Sequence, residues 1–404
     1  MRSIFKVFFC MLMTIQNIAQ VVAYENNEYK FVNKKINDHF YLITTNGKTA
    51  VNQLGLIVGK ESLLLIDSDG AHRSKALLTA IRSISEKPIK YVINTHSHPD
   101  HTGGNEFFAD LGATIISQEN SRYSSAYGQL RFKDYLTLDL GNEQVEVIHR
   151  VSHTYDDVLI YLKKSNAIFM GDNLSTHAFL SLGEKGLAGH QAIFDLAISL
   201  SNKDTLVVPA HAAYSETGNA NLNQNDLYQY KEKLSLWLQR LAVMHQELLT
   251  TTEMAKDNEL IELTLSMIRD GHKKSGKARL YMEESVNTAL NMEFSSPDSI
   301  MLTDVTKYLG QYQAGDSNVI EIFTLDKKLY GRQEGNFMAQ LIPVNDMEFR
   351  LKGYQFNANG GKEVFKFSFN EAGKVDSLTP LINENSGWSK DFSKSQFIKR
   401  ENNK

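Results

Sequence analysis

Residues 95–101, with the sequence Thr-His-Ser-His-Pro-Asp-His, limit the possible folds of this chain more than any other feature. An apolar run typical of a buried strand precedes them, and a Thr-Gly-Gly-Asn stretch typical of a helix start follows. His96 and His98 are two residues apart and point the same way on an extended segment, whereas Asp100 and His101 lie beyond the turn. One strand-to-helix loop can therefore supply ligands to two adjacent metal ions.

The alternative to a metal site is a polar loop that is rich in histidine by chance. The spacing H-x-H-x-D-H directly after a strand is far more specific than a lone pair of histidines, so we favour the metal site. The single cysteine, Cys10, lies in the N-terminal apolar run, and the mature chain would have neither a thiolate ligand nor a disulfide. Histidine and carboxylate ligands suit zinc and also permit iron or manganese.

The first 23 residues differ from the rest of the chain. Arg2 and Lys6 give a positive start, residues 7–15 are apolar, and Val-Val-Ala at residues 21–23 offers small residues for cleavage. The apolar run is too short to cross a bilayer, which argues against an N-terminal anchor. We therefore expect a removed signal peptide, a periplasmic or secreted mature protein, and no transmembrane anchor after cleavage.

The residue pattern changes twice beyond this leader. Short apolar strands alternate with helical patterns between residues 40 and 210, which favours a layered α/β domain. Residues 227–250 and those up to about 291 have helical spacing. From Tyr308 onward, short strands separated by Gly, Asn and Asp predict a small antiparallel barrel or sandwich. The predicted segments are a signal peptide at 1–23, an α/β domain at 24–292 that includes helices from about 225, and an all-β domain at 293–404.

The charge of the chain bears on its partners. The formal net charge is -4, and acidic and basic residues are mixed along the sequence without a basic stripe. Nucleic acid is therefore not an expected partner. A small-molecule substrate is the expected one, and the sequence does not indicate an oligomeric state.

Four further elements give the chain a resemblance to a known family. They are Asp67 at a strand end, the triplet Ser152-His153-Thr154 before a strand, Met170-Gly171-Asp172, and Pro209-Ala210-His211, in which alanine stands where the family usually has glycine. Together with residues 95–101, here called the histidine loop, these elements make residues 40–215 resemble the metallo-β-lactamase superfamily, whose fold is a four-layer αββα sandwich. The resemblance implies that His96, His98 and His153 hold one metal ion. It also implies that Asp100, His101 and His211 hold a second, that Asp172 bridges the two, and that both ions are divalent, with Zn²⁺ expected.

This resemblance implies hydrolytic chemistry. Metal binding lowers the pKa of water from 15.7 to about 7, so a metal-bound hydroxide can attack a carbonyl or phosphoryl centre at neutral pH. Asp100 is the expected catalytic residue, since it can orient the nucleophile and pass on its proton. Asp67 is expected to orient the loop or a histidine, with a purely structural role as the alternative.

The substrate class stays open at this point. An amide or ester bond, in a β-lactam or a lactone, is the leading expectation, because residues 52–67 and 90–104 look similar to exported class B β-lactamase-like hydrolases. Asp172 stands where β-lactamases usually carry Cys or Ser, and this is more similar to the glyoxalase II, lactonase and phosphodiesterase branches. A thioester or phosphodiester hydrolase is therefore an alternative. A non-catalytic exported metal- or ligand-binding protein is another.

Several other features are weaker. The C-terminal unit resembles the lipocalin-like domain of some β-lactamase-related hydrolases at residues 308–312, 341–344 and 373–375, and it could shape the substrate entrance, bind a ligand, mediate assembly or simply pack. Lys185, Tyr155 and Tyr214 could contact substrate, with solvated or packed roles as alternatives. His149 is expected in a strand and His177 at the surface. The remaining histidines are expected to be structural or exposed: His39, His72, His190, His245 and His272.

Overall fold

The computed structural model describes residues 30–46, 51–121, 130–176, 183–212, 222–268, 304–315, 318–325, 327–333, 338–352, 363–381 and 395–400, with isolated residues between 282 and 302. The strands are β1 Lys30–Lys35, β2 Phe40–Asn46, β3 Val51–Val58, β4 Leu63–Ile66, β5 Ile89–Ile93, β6 Thr114–Gln118, β7 Leu130–Phe132, β8 Tyr135–Asp139, β9 Gln144–His149, β10 Val158–Leu162, β11 Ala167–Phe169, β12 Leu206–Val208, β13 His211–Ala212, β14 Gly310–Ala314, β15 Asn318–Leu325, β16 Lys328–Gln333, β17 Ala339–Pro343, β18 Glu348–Lys352, β19 Val364–Phe369, β20 Val375–Leu381 and β21 Phe397–Lys399. The α-helices are α1 Ser74–Arg82, α2 Pro99–Thr102, α3 Asn105–Asp110, α4 Gly186–Leu200, α5 Gln224–Gln246, α6 Thr251–Met254 and α7 Asn258–Met267.

The first thirteen strands form two sheets that pack face to face. One sheet has the order β1-β2-β3-β4-β5-β6-β7, with β13 paired to β3, and the other has the order β12-β11-β10-β9-β8. Between them lies an apolar core in which the rings of Phe40 and Phe169 meet edge to face, with centroids 5.9 Å apart. Strands β4, β5 and β6 run parallel, and β4 is entirely apolar and buried, as expected for a strand covered on both faces.

Helices cover the outer face of each sheet. On the first sheet, α1 and α3 bury the side chains that recur at helical spacing, including Leu77, Ile81 and Phe108. On the second sheet, α4 and α5 bury Phe194 and Trp237 against β10 and β11. The predicted αββα sandwich is therefore confirmed.

The C-terminal strands β14 to β21 close into an antiparallel barrel. The sequence predicted either a barrel or a sandwich, and the structure shows a barrel. Fully buried aromatic side chains pack inside it, with the rings of Tyr308 and Phe349 4.8 Å apart and those of Phe349 and Phe367 5.1 Å apart. The likeness of this unit to lipocalin-like domains stays a prediction.

Some element boundaries differ from the sequence-based expectation. The long helix begins at Gln224 rather than Leu227, because the Asn223 side chain accepts hydrogen bonds from the backbone N–H groups of Asn225 and Asp226 and forms a capping box with Asp226. The first turn after the histidine loop begins at Pro99. None of the described helices is long and apolar enough to cross a membrane. The predicted signal peptide and the boundary at residue 292 lie outside the described residues.

Candidate metal centre

The seven predicted ligands come from four loops that follow strand ends at one edge of the sandwich. His96, His98, Asp100 and His101 follow β5, His153 lies between β9 and β10, Asp172 follows β11, and His211 follows β12. The structure brings all seven side chains together in two groups. One consists of His96, His98, His153 and Asp172, and the other of Asp100, His101 and His211.

The histidine loop is shaped by the short helix α2. His98 has an extended backbone and caps this helix, and Pro99 occupies its first position, where a missing N–H group costs no hydrogen bond. The carbonyl of His98 accepts hydrogen bonds from the backbone N–H groups of His101 and Thr102. This turn separates His96 and His98 from His101, so that one loop supplies side chains to both groups.

Asp67 fixes His101 from behind. Its Oδ2 lies 2.9 Å from Nδ1 of His101, and its Oδ1 accepts a 2.7 Å hydrogen bond from the backbone N–H of Thr95. Asp67 directly follows β4 and adopts a left-handed conformation with φ 61°, which aspartate tolerates better than most residues. Because Nδ1 of His101 is engaged by a carboxylate, Nε2 is left to face the cluster. The expectation that Asp67 orients a histidine is confirmed by this contact.

The loop that carries His153 is held by its own side chains. Asp157 accepts hydrogen bonds from the backbone N–H and the hydroxyl of Thr154, at 2.9 and 2.8 Å. The backbone N–H of Val158 donates to the carbonyl of Thr95, so this loop is tied to the histidine loop. The backbone N–H of His153 donates to Oδ1 of Asn173 at 3.3 Å.

Asp172 projects from a short 3-10 helix at Gly171–Asn173. Gly171 has φ 54°, a left-handed conformation that favours glycine, and a Cβ there would lie only 3.1 Å from Cβ of Thr95. His211 follows Ala210, whose backbone N–H donates to the carbonyl of Gly171. Ala210 is buried and is not left-handed, so this loop accepts the β-carbon that replaces the usual glycine.

The carboxylate of Asp172 lies between the two groups. Its Oδ2 is 3.7 Å from Nε2 of His96, 3.9 Å from Nδ1 of His98 and 3.6 Å from Nε2 of His153. Its Oδ1 is 3.2 Å from Nε2 of His211 and 3.3 Å from Nε2 of His101. Each oxygen therefore faces a different group of histidines.

Asp100 completes the second group. Its Oδ2 lies 3.3 Å from Nε2 of His211 and 3.6 Å from Nε2 of His101. Its side chain is 42% exposed, whereas those of His101, Asp172 and His211 are at most 12% exposed. The centre is therefore open on the side of Asp100, which is where a substrate can approach.

These distances fit a metal centre. Ligands around a tetrahedral Zn²⁺ at the usual 2.0–2.1 Å would be about 3.3 Å apart, which is close to the separations across the cluster. Nε2 of His96 is buried, points toward Asp172, and has no hydrogen-bond partner among the described residues. Its other nitrogen lies 3.2 Å from the Thr95 hydroxyl, which sets the ring orientation. Such a buried nitrogen is costly unless a cation or a water occupies the centre.

The charges of the cluster also favour a cation. Burial acts to raise the pKa of Asp172, but attraction to His211, His101 and His96 outweighs it and holds this pKa well below its usual range. Burial acts to lower the pKa of His211, but Asp172 and Asp100 outweigh it and raise this pKa to about 9. Protons on histidine would balance the carboxylates if no metal ion were bound, and a divalent cation can provide that balance instead.

Sequence reasoning missed two asparagines at this centre. Asn52 donates hydrogen bonds to the carbonyl of Asp100 and to Asp69, at 3.0 and 3.1 Å, and Asn173 receives the backbone N–H of His153. The only signal for Asn52 was a polar residue at the start of an apolar strand. His190, expected to be structural or exposed, is buried on α4 with its Nδ1 3.1 Å from the hydroxyl of Ser152.

The other histidines and tyrosines singled out in the sequence have different positions. His149 lies at the end of β9, as predicted. Tyr155 is a packed side chain whose hydroxyl is engaged by Glu184 and Tyr330. His177, His272 and Tyr214 lie outside the described residues.

The comparison with protein families bears on the same residues. A family model described as the metallo-beta-lactamase superfamily matches residues 52–211. This range includes all seven clustered side chains and ends on His211. Residues 52–211 form a metallo-beta-lactamase superfamily domain.

Relatives of this metallo-beta-lactamase domain differ in their named activities. It is 28% identical over 123 residues to an atrochrysone carboxyl ACP thioesterase of Aspergillus fumigatus, covering 30% of this chain and 28% of that protein. It is 28% identical over 167 residues to a metallo-beta-lactamase type 2 of Elizabethkingia meningoseptica, covering 38% of this chain and 67% of that protein. A solved metallo-beta-lactamase from Pontibacter korlensis has 23% identity and a TM-score of 0.44, covering 50% of this chain and 98% of that one. The chain spans under a third of the thioesterase's length.

Proposed function

We propose that this chain is an exported hydrolase that holds two divalent metal ions, with zinc as the expected metal. His96, His98 and His153 would hold one ion, and Asp100, His101 and His211 the other. The observation that carries the proposal is the position of Asp172, whose two oxygens face different groups of histidines at 3.2 to 3.9 Å. A carboxylate in that position can bridge two ions, and a site for a single ion would not need both groups.

The residues around the centre would divide the work of hydrolysis. When bound, the ions would acidify a water molecule and polarise the scissile bond. Asp100 is the carboxylate on the open side and would hold a proton at Oδ2 and pass it to the leaving group. Asp67 would keep Nδ1 of His101 engaged, so that Nε2 stays turned toward the centre.

The leading substrate class is a carbonyl compound with an amide or ester bond, such as a β-lactam or a lactone. A bridging aspartate in place of the β-lactamases' usual Cys or Ser supports esters over β-lactams. A thioester is the second candidate, favoured by the named thioesterase among the relatives of the domain. Both classes require attack on a carbonyl carbon, which this arrangement of residues serves equally.

Export belongs to the same proposal. Its support is the charged start and the apolar run within residues 1–23. Cell fractionation with N-terminal sequencing of the mature protein would test it. A protein that keeps residues 1–23 and stays in the cytoplasm would contradict this part of the proposal.

A substrate panel would test the reaction. Purified protein, with and without added Zn²⁺, would be offered a β-lactam, a lactone, an acyl thioester and a phosphodiester. We expect turnover of a lactone or another carbonyl substrate that is abolished by a chelator and restored by metal. Metal binding with turnover of none of the four would favour a non-catalytic binding protein instead.

A further inference from the structure

The C-terminal barrel contacts the loop that carries His153. Tyr155, two residues after His153, is buried and packs with Tyr330 and Met338 of the barrel in one apolar cluster. The rings of Tyr155 and Tyr330 have centroids 5.2 Å apart and planes at 81°, which is a favourable edge-to-face arrangement. The barrel therefore contacts the metallo-beta-lactamase domain beside a metal-centre histidine.

Polar contacts continue from this junction to the backbone of His153. The side chains of Glu184 and Tyr330 interact with the hydroxyl of Tyr155. The backbone N–H of Glu184 in turn donates to the carbonyl of His153 at 3.2 Å. One series of contacts thus leads from the barrel through Tyr155 and Glu184 to His153.

The loop has little room to move on its other side. A Cβ on Gly183 would lie 2.1 Å from Cα of His153, so the two backbones are in direct contact. The backbone N–H of Lys185 donates to the carbonyl of Ser152 at 3.1 Å. The side chain of Asn120 donates to the carbonyl of Tyr155 at 3.2 Å. A displacement of Tyr155 would therefore be passed on to His153 rather than absorbed.

The barrel holds Tyr330 firmly. Tyr330 lies on β16 directly opposite Phe323 on β15, and the two rings stack with centroids 6.0 Å apart. Arg332 lies on the same strand as Tyr330, and its guanidinium is 4.9 Å from the centroid of the Phe323 ring. Phe323 and Leu325 also pack against the cluster of Tyr155, Tyr330 and Met338. Tyr330 is thus a side chain fixed by the sheet and suited to position another group.

We propose that Tyr330 is a positioning residue for the metal centre, and that the barrel fixes the loop of His153 through the contact between Tyr330 and Tyr155. This inference rests on the proposed function, because it assumes that His153 holds a metal ion. It gives the barrel a specific role in metal retention. The ion held by His96, His98 and His153 would depend on the barrel more than the ion held by Asp100, His101 and His211.

Metal titration of the full chain would test this. The variants are Tyr330→Ala, Tyr330→Phe and, as matched control, Tyr312→Phe, which removes a buried barrel hydroxyl that donates to the carbonyl of Tyr308. Zn²⁺ affinity would be measured in two steps by competition with a chelating indicator. In Tyr330→Ala we expect one of the two ions to bind about 10- to 100-fold more weakly, as is typical when a group that supports a ligand is lost. Tyr330→Phe keeps the ring and should restore most of that affinity, and Tyr312→Phe should bind both ions like the wild type.

Each other outcome overturns the inference. Tyr330→Ala with two ions at wild-type affinity would show that the junction does not position His153. An equal loss in Tyr312→Phe, or an equal loss of both ions in Tyr330→Ala, would indicate general destabilisation. A wild-type chain that binds no metal would overturn the proposed function itself, and this inference with it. If Tyr330→Ala does not fold, Tyr330→Leu takes its place, because it keeps an apolar side chain but removes the ring. For the inference to stand, Tyr330→Leu must weaken one ion measurably while Tyr330→Phe does not.

Discussion

Replacing Asp67 with asparagine changes one oxygen to an amide nitrogen without altering the shape of the side chain. The remaining oxygen can still accept the hydrogen bonds from Thr95, but the amide would meet Nδ1 of His101, now 2.9 Å from Oδ2, as a second donor. The conflict is relieved if the proton of His101 moves from Nδ1 to Nε2, the nitrogen that faces Asp172. Asp67→Asn should therefore weaken metal binding without removing any ligand.

The magnitude follows from the contact that is lost. One hydrogen bond to a charged group contributes about 1.5–3 kcal/mol to stability, and removal of a group that supports a metal ligand costs about 10- to 100-fold in affinity. We expect the free energy of unfolding of the metal-free protein to fall by roughly 2 kcal/mol. We expect the Zn²⁺ affinity of the ion held by His101 to fall by about one to two orders of magnitude.

Asp69→Asn is the matched control. Asp69 is also buried and left-handed, with φ 58°, but its carboxylate pairs with Arg73 at 2.8 Å and accepts from Asn52 and Gly70. Urea unfolding would give the stability of each variant, and competition with a chelating indicator would give its metal affinity. Asp69→Asn should lose stability but keep metal affinity within about threefold. Binding of both ions by Asp67→Asn with wild-type affinity would rule out this role for Asp67.

Three further results are expected. Gly183→Ala should destabilise the fold by about 1–3 kcal/mol and also lower the metal content, because its Cβ would meet the backbone of His153. The control Gly112→Ala is strained by φ 94° but has open space around it, so it should lose stability alone. Equal metal content in the two variants would be contrary to this. Asp172→Ala should lose metal and hydrolysis while its circular dichroism stays that of the wild type, and hydrolysis that survives loss of the metal would sink the mechanism. Burial lowers the pKa of His190 to about 4, so the unfolded state takes up a proton below pH 6.5 that the folded state resists, and stability should fall as the pH falls. Between pH 7 and pH 5, the free energy of unfolding of the metal-free His190→Gln variant, measured in urea, should fall by about 2 kcal/mol less than that of the wild type. Equal losses in the two proteins would count against this.

The histidine loop could be predicted from the sequence because its information is local. The spacing of His96, His98, Asp100 and His101 after an apolar strand fixes which way each side chain points. His153, Asp172 and His211 came from family resemblance, since each is a single residue on a separate loop. Their meeting depends on the pairing order of distant strands, which no local pattern contains.

Other features could not be predicted for physical reasons that differ. The strand Tyr135–Asp139 was missed because it is a short edge strand with only two inward apolar side chains, Leu136 and Leu138. Asn52 was missed because its partners lie on loops that come close only in the fold. The contact between Tyr155 and Tyr330 joins two domains, and neither side chain stands in a recognisable motif.

The proposed metal centre depends on Asp172, which would join two groups of histidines around two metal ions. The most direct test is the metal content of the purified wild-type chain, measured by mass spectrometry after dialysis against a low concentration of Zn²⁺, beside Asp172→Ala treated in the same way. We predict two ions per wild-type chain and fewer than one in the variant. A wild-type chain with one ion or none, or a variant that keeps both, would show that Asp172 does not join two metal ions.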